Sequence, residues 1–298
     1  MRAKGIKSSL SGRIFDCLNA LFLFFLAFIM LYPFWNQLVI SFNEGLDSLR
    51  GGLYFWPRKF TVSNYYYILE KSNLPRGFLI SFLRVAVGTS TNLFCSGIIA
   101  YITTIYWFSG RKIVRLVFLI TMYFSGGLIP TFLIFNKLGL LDTFTIYWLP
   151  SLITPYNMLL IASYMYNMPP ALAESARLDG ASELQIYWKI MFPVCLPVFA
   201  AVAVFVAVAH WNSWFDVIVF NASGKWDTVQ VYLRKILLQA EQLAKLETDQ
   251  RAMEEYRKLT PVSIRAATTM VVTIPIVTVY PFLQKYFIGG ITIGAVKQ

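Results

Sequence analysis

Apolar residues run along this chain in long continuous blocks rather than in alternating or one-sided stripes. Several blocks reach the roughly 20 residues that a helix needs to cross about 30 Å of hydrocarbon. Only helices or closed barrels satisfy their backbone groups inside lipid, so the pattern predicts an all-α membrane protein. Six transmembrane helices are expected near 15–41, 78–108, 114–136, 143–166, 193–220 and 264–289. The first block, from about Leu18 to Ile40, follows Arg2, Lys4, Lys7 and Arg13 as the core of a signal peptide would. It is too long for one and lacks a small-residue cleavage site, so it reads as a retained anchor.

Polar stretches order the spans. Basic residues of the N-terminal tail, the turn Arg111-Lys112-Ile-Val-Arg115 and the end at Lys285 fall on one side, the cytoplasmic side if short basic loops stay inside. Both termini are then cytoplasmic, the connections 42–77, 137–142 and 221–263 external, and the polar loop 167–192 cytoplasmic. The expected organisation is a tail, first helix and external loop over 1–77, followed by a transmembrane core over 78–290.

Composition narrows this further. Hydrophobic residues make up 57% of the 298 positions, and a net charge of +11 is scattered over turns and termini with no basic stripe or stacking platform. That distribution excludes a nucleic-acid surface and fits membrane orientation. Cys17, Cys95 and Cys195 fall in or beside apolar blocks as small hydrophobes, without disulfide or metal spacing.

Two spans carry residues suited to packing or to a pathway. The second contains Gly88-Thr-Ser-Thr-Asn92 and Ser96-Gly97, a small and hydroxylated face that lets helices approach closely. The third contains Ser125-Gly126-Gly127-Leu128-Ile129-Pro130, which breaks or kinks a helix at membrane depth. Such breaks recur at transport sites, and they also occur as ordinary kinks.

The central polar loop is the most specific feature. Pro169-Pro170 stops one helix and suits the start of another, expected from Ala171 to Asp179. Gly180 can close that helix in the left-handed conformation, and Ser182-Glu-Leu-Gln185 has the form of a capping box for a second helix through about Met191. The product is a helix-turn-helix elbow. Leu184, Tyr187, Trp188 and Met191 recur at helical spacing as an apolar face for a partner's groove, with Glu174, Asp179, Glu183 and Lys189 as a polar rim. From spacing alone, the same face could pack on the chain's own spans or lie at the lipid surface.

Glu174-Ser-Ala-Arg-Leu-Asp-Gly-Ala181, with Ile190, Pro193 and Pro197 downstream, resembles the EAA loop of ATP-binding cassette (ABC) importer permeases in its carbohydrate-importer form. Ser175 stands where the motif has its first alanine. The likeness extends to the Gly-Leu-Ile-Pro130 element and the Trp211-Asn212-Ser-Trp214 segment. It is similar to the smaller permease of maltose importers and nearer to the lipoprotein-linked, polygalacturonan- and rhamnogalacturonan-type permeases of Gram-positive bacteria. The resemblance implies a type I importer fold (MetI-like). It also implies a multi-pass protein of the cell membrane, a second homologous permease, two cytoplasmic ATPase subunits that bind ATP and Mg, and an extracellular lipoprotein solute-binding protein. The cargo would be an oligosaccharide, derived from pectin or another polysaccharide. By motif position, Glu174, Ser175, Ala176, Asp179, Gly180, Ala181, Leu184 and Tyr187 would couple the chain to the ATPase.

The fifth span offers a candidate solute site. Trp, Asn and Asp within two turns suit a polyhydroxylated ligand, so Trp211, Asn212, Trp214 and Asp216, with Gly127 and Asn92, are the candidate pathway residues. The two tryptophans also suit an interfacial aromatic belt. His210 is the one histidine and is given no metal or catalytic role. The external stretch 228–258 predicts an amphipathic helix and a charged run from Glu241 to Lys258. Together with Tyr54-Phe-Trp56-Pro57 and Tyr65-Tyr-Tyr67 it is a candidate contact surface, or a structural one.

Other classes fit less well. No G-x-x-x-x-G-K-[ST] loop or metal spacing is present, so no cofactor is expected in this chain and hydrolysis would be done elsewhere. A permease for a non-sugar solute and a non-transporting scaffold or sensor are the remaining alternatives.

Overall fold

The computed structural model describes residues 10–71, 73–243 and 260–295. Among these every regular element is helical. In order they are α1 (Leu10–Ser41), α2 (Gly45–Leu49), α3 (Ser63–Lys71), α4 (Leu74–Thr104), α5 (Arg111–Tyr123), α6 (Leu128–Lys137), α7 (Pro155–Tyr166), α8 (Ala171–Leu178) and α9 (Glu183–Ile186). A π-helical turn, Tyr187–Met191, leads into α10 (Phe192–Val194), α11 (Leu196–Asn212), α12 (Phe215–Phe220), α13 (Val229–Leu243) and α14 (Pro261–Ala295). The chain divides into two compact units, Met1–Lys71 with Ile236–Thr273, and Ser72–Lys235 with Ile274–Gln298.

Three helices, within α1, α4 and α14, are long and apolar enough to cross a membrane, and five spans result if two bent pairs each count as one. The expected third span is such a pair. Its limbs α5 and α6 meet at 118° around Ser125–Gly127, where Gly127 takes φ +83°. Pro130 sits in the first turn of α6, where a missing N–H costs nothing, so the glycines rather than the proline make the break. The expected fourth span, 143–166, is not one helix: two short 3₁₀ turns, Phe144–Tyr147 and Leu149–Ser151, precede the 12-residue α7. Proline at positions 150 and 155 interrupts the backbone ladder there. Six spans are therefore not reached by helix length and apolarity alone among the described residues.

In the first unit, Asn43 ties the end of α1 to the following loop. Its side chain accepts from the Lys59 N–H at 2.8 Å and donates to Asp47 and Ser48 at 3.0 Å. Asn64 donates to the Ser41 and Asn43 carbonyls. The Thr260 hydroxyl donates to the Gly45 carbonyl at 3.1 Å. The charged run expected from Glu241 to Lys258 lies mostly outside the described residues, as does the N-terminal basic tail.

In the second unit α4 packs along α7 and α11. Gly88, Asn92, Ser96 and Gly97 are buried on this face, as the run of small residues predicts. A Cβ at Gly97 would stand 2.5 Å from the Tyr187 hydroxyl, and one at Gly88 2.4 Å from His210 Nε2. Glycine is what lets these rings reach the α4 backbone. Tyr101, Met158, Ile161, Ile186, Tyr187 and Phe199 belong to the apolar core that holds the three helices together.

Candidate functional site

The elbow forms as the sequence signals. Helix α8 ends in a Schellman arrangement: the Ala181 N–H donates to the Ala176 carbonyl and the Gly180 N–H to the Arg177 carbonyl, both at 3.0 Å. Gly180 supplies the necessary left-handed backbone at φ +82°. Ser182 then opens α9 with a complete capping box. Its N–H donates to Gln185 Oε1 at 2.9 Å, and its hydroxyl accepts from the Gln185 N–H at 3.4 Å.

Charge and stacking close the angle between the two limbs. Arg177 donates to Glu183 at 2.8 and 3.3 Å, and its guanidinium lies 4.1 Å over the Trp107 ring. Its hydrogen bonds to the Glu183 carboxylate raise the Arg177 pKa above its already basic range. The Tyr101 hydroxyl of α4 donates to the Glu183 carboxylate at 2.5 Å.

The outer surface of the elbow carries Glu174, Ser175, Asp179 and Gly180, all exposed. Leu178 and Leu184 flank the turn with 89% and 63% of their surface exposed. Ala176 and Ala181 are half-buried against the core. Tyr187 and Met191, expected on the same outward face, are instead buried, Tyr187 to 2% exposure. The π turn carries one extra residue per turn, so the helical spacing that aligns 184, 187 and 191 fails at this point. Tyr187 fills the space above Gly97 and is a core residue.

A cavity of about 540 Å³ lies among α4, α7 and α11; its wall is largely apolar but carries the polar groups of Arg84, Asn92, Tyr147, Asn157, His210 and Asp216. Arg84, 3% exposed, is ion-paired and hydrogen-bonded to Asp216. It also donates to His210 Nδ1 at 3.5 Å and lies 4.7 Å from the centre of the Tyr147 ring. Asn92 donates to the Ser151 carbonyl at 2.6 Å and to Thr154 Oγ1 at 3.0 Å, and accepts from Asn157 at 3.3 Å. A buried arginine ion-paired to a partly exposed aspartate, and paired amides, set between apolar helices are costly to build and suit a passage for polar cargo.

Similarity to known proteins decides the family. A model of the family described as "Binding-protein-dependent transport system inner membrane component" matches residues 1–293. The chain belongs to that family. It is 35% identical over 289 residues to protein LplC of Bacillus subtilis strain 168, covering 96% of each chain. It is 34% identical over 289 residues to the polygalacturonan/rhamnogalacturonan transport system permease protein YtcP of the same organism, covering 97% of this chain and all of that one. A crystal structure of a bacterial ABC transporter involved in the import of the acidic polysaccharide alginate contains a chain similar to this one, at TM-score 0.80 and 28% identity over 95% of this chain and 100% of that chain. The protein therefore has the type I importer permease fold and is an inner-membrane component of a transport system.

In this permease the expected pathway residues do not converge. Asn92 and Asp216 line the cavity, but Trp211 does not; it packs against Phe78 and Phe82 at 6.1 and 5.3 Å, beside a separate apolar cleft. Asn212 is exposed at the end of α11, and Trp214 stacks under Arg234 at 3.9 Å. Neighbouring helical positions diverge by about 100°, and the break at Ser213 redirects the chain beyond it, so Trp211, Asn212 and Trp214 face different surroundings. Gly127 is exposed and also lies off the cavity. Arg84 and Asn157 were not singled out by the sequence. An arginine inside an apolar span was the signal available for the first.

Proposed function

We propose that this chain is the permease subunit of an ABC importer for oligosaccharides, joined to a homologous permease, two cytoplasmic ATPases and an extracellular lipoprotein receptor. The elbow 167–192 docks on an ATPase, which binds ATP and Mg, and closure of the ATPases moves the two permeases between inward- and outward-facing states. Both termini and the elbow face the cytoplasm of the bacterial cell. The cavity around Asn92, Arg84 and Asp216 is this chain's half of the pathway.

One observation carries the reading. The turn of the elbow is capped on both sides and braced, yet it leaves Leu178 and Leu184 open to solvent on either side of Gly180. Large apolar side chains held rigidly at the tip of a polar loop are anchors for a partner's groove. The sugar class is supported by the polygalacturonan/rhamnogalacturonan permease YtcP, by the alginate importer, and by amide and charged groups in the cavity wall.

The test is reconstitution of the permease pair with its ATPase and receptor in liposomes. Oligosaccharide should stimulate ATP hydrolysis and accumulate inside. Stimulation by a non-sugar solute alone would reassign the cargo, and a chain that never binds an ATPase would be a scaffold or sensor instead.

A further inference from the structure

The geometry points to Tyr101, Glu183 and Arg177 as a transmission joint that hands the motion of the elbow to α4. This rests on the elbow being the ATPase-docking element. Two routes lead from the elbow into the bundle. One is the backbone itself, through the π turn and α10 into α11. That route is jointed: the segments Glu183–Val194 and Leu196–Asn212 meet at 79°, and Pro193 and Pro197 each sit in the first turn of a new helical segment beside the bend. A route that turns through 79° does not carry a push along one axis.

The other route is side-chain contact. Glu183 of α9 is held from two sides at once, by Arg177 of α8 at 2.8 Å and by the Tyr101 hydroxyl of α4 at 2.5 Å. Arg177 in turn sits over the ring of Trp107, in the turn after α4. The two elbow limbs are thereby fixed to each other and to one end of α4. That helix continues without a break past Asn92 and Arg84. At 1.5 Å per residue these lie about 14 Å and about 26 Å from Tyr101 along its axis. Displacement of the elbow is delivered to the wall of the cavity by one unbroken helix. Tyr101 and Glu183 are positioning residues; neither forms the docking surface.

The experiment uses the complete importer in liposomes and reads solute taken up per ATP hydrolysed. Tyr101→Phe removes only the hydroxyl. It should leave ATPase co-purification intact and lower uptake per ATP by about tenfold, the weight of one hydrogen bond to a charged group. Glu183→Gln keeps an acceptor for Tyr101 and should lose less than Glu183→Ala. Unchanged uptake per ATP in both Tyr101→Phe and Glu183→Ala, with the complex assembled, overturns the joint. Leu178→Asp tests the underlying reading separately: it should release the ATPase. If the ATPase stays bound in Leu178→Asp, the docking assignment falls; if it is released while Tyr101→Phe and Glu183→Ala both keep the wild-type ratio, only the joint falls.

Discussion

Arg84 of α4 and Asp216 of α12 stand 132 residues apart in sequence and form an ion pair in the wall of the cavity. The pair is asymmetric. Arg84 is almost wholly buried, whereas Asp216 is partly exposed and has a second donor in the Ser213 hydroxyl at 2.8 Å. Removing Asp216 strands a buried guanidinium, which costs about 3–5 kcal/mol, whereas removing Arg84 leaves a carboxylate that water and Ser213 still solvate. Asp216→Ala should therefore lower the unfolding temperature in detergent more than Arg84→Ala. An apolar double replacement, Arg84→Met with Asp216→Leu, should recover most of the loss while abolishing uptake. The reverse order of the two single variants would refute the asymmetry.

Gly180 tests the elbow through its backbone alone. A Cβ there meets nothing within 4 Å, so any cost of substitution comes from φ +82°. A β-branched residue in that conformation costs about 1–2 kcal/mol, while asparagine tolerates it. Gly180→Val should open the Schellman turn and reduce uptake per ATP hydrolysed, and Gly180→Asn should stay close to wild type. Equal uptake by Val and Asn variants would mean that the turn geometry does not matter for coupling.

Much of the elbow is legible in the sequence alone, for a physical reason. It is specified by neighbours along the chain: Pro170 starts a helix, Gly180 ends it and Ser182 with Gln185 opens the next, all within one short loop. Membrane spans are likewise local, since hydropathy sums over adjacent residues. Features that escape depend on distant partners or on a change of phase. Nothing near Arg84 announces Asp216 as its counter-ion. The π turn after Ile186 turns Tyr187 into the core, and a 3.6-residue period cannot foresee it. The span expected at 143–166 reads as continuous in hydropathy, but its backbone is divided by prolines into turns and a short helix.

Close packing at Gly97 gives a contrast in stability. An added methyl would fall 2.5 Å from the Tyr187 hydroxyl and 2.7 Å from the Phe199 ring, and both are held in the core. Overpacking of that kind costs about 1–3 kcal/mol. At Gly126 the nearest atom to an added methyl is Pro130 Cβ at 3.8 Å, an ordinary contact. Gly97→Ala should lower thermal stability in detergent, and Gly126→Ala should stay within about 0.5 kcal/mol of wild type. Similar melting temperatures for both would show that α4 and α11 are not packed this tightly.

Acid should loosen the loop after α1, and the sign comes from Asp47. The Asn43 amide and then the Arg58 guanidinium, which donates to the carboxylate at 2.9 Å, hold its pKa below the ordinary carboxylate value. A depressed folded-state pKa means that the contribution is complete above the unfolded value of about 3.9 and is lost as pH falls through the folded value. Asp47→Asn keeps an acceptor for Asn43 but cannot titrate. Hydrogen exchange across residues 42–61, corrected for its intrinsic pH dependence, should accelerate below about pH 4 in the wild type, because Glu44 and Thr61 donate to the Lys59 and Phe42 carbonyls across this loop. The Asp47→Asn protein should begin less protected and show no such acid step. An equal acid step in both proteins would place the titrating group elsewhere.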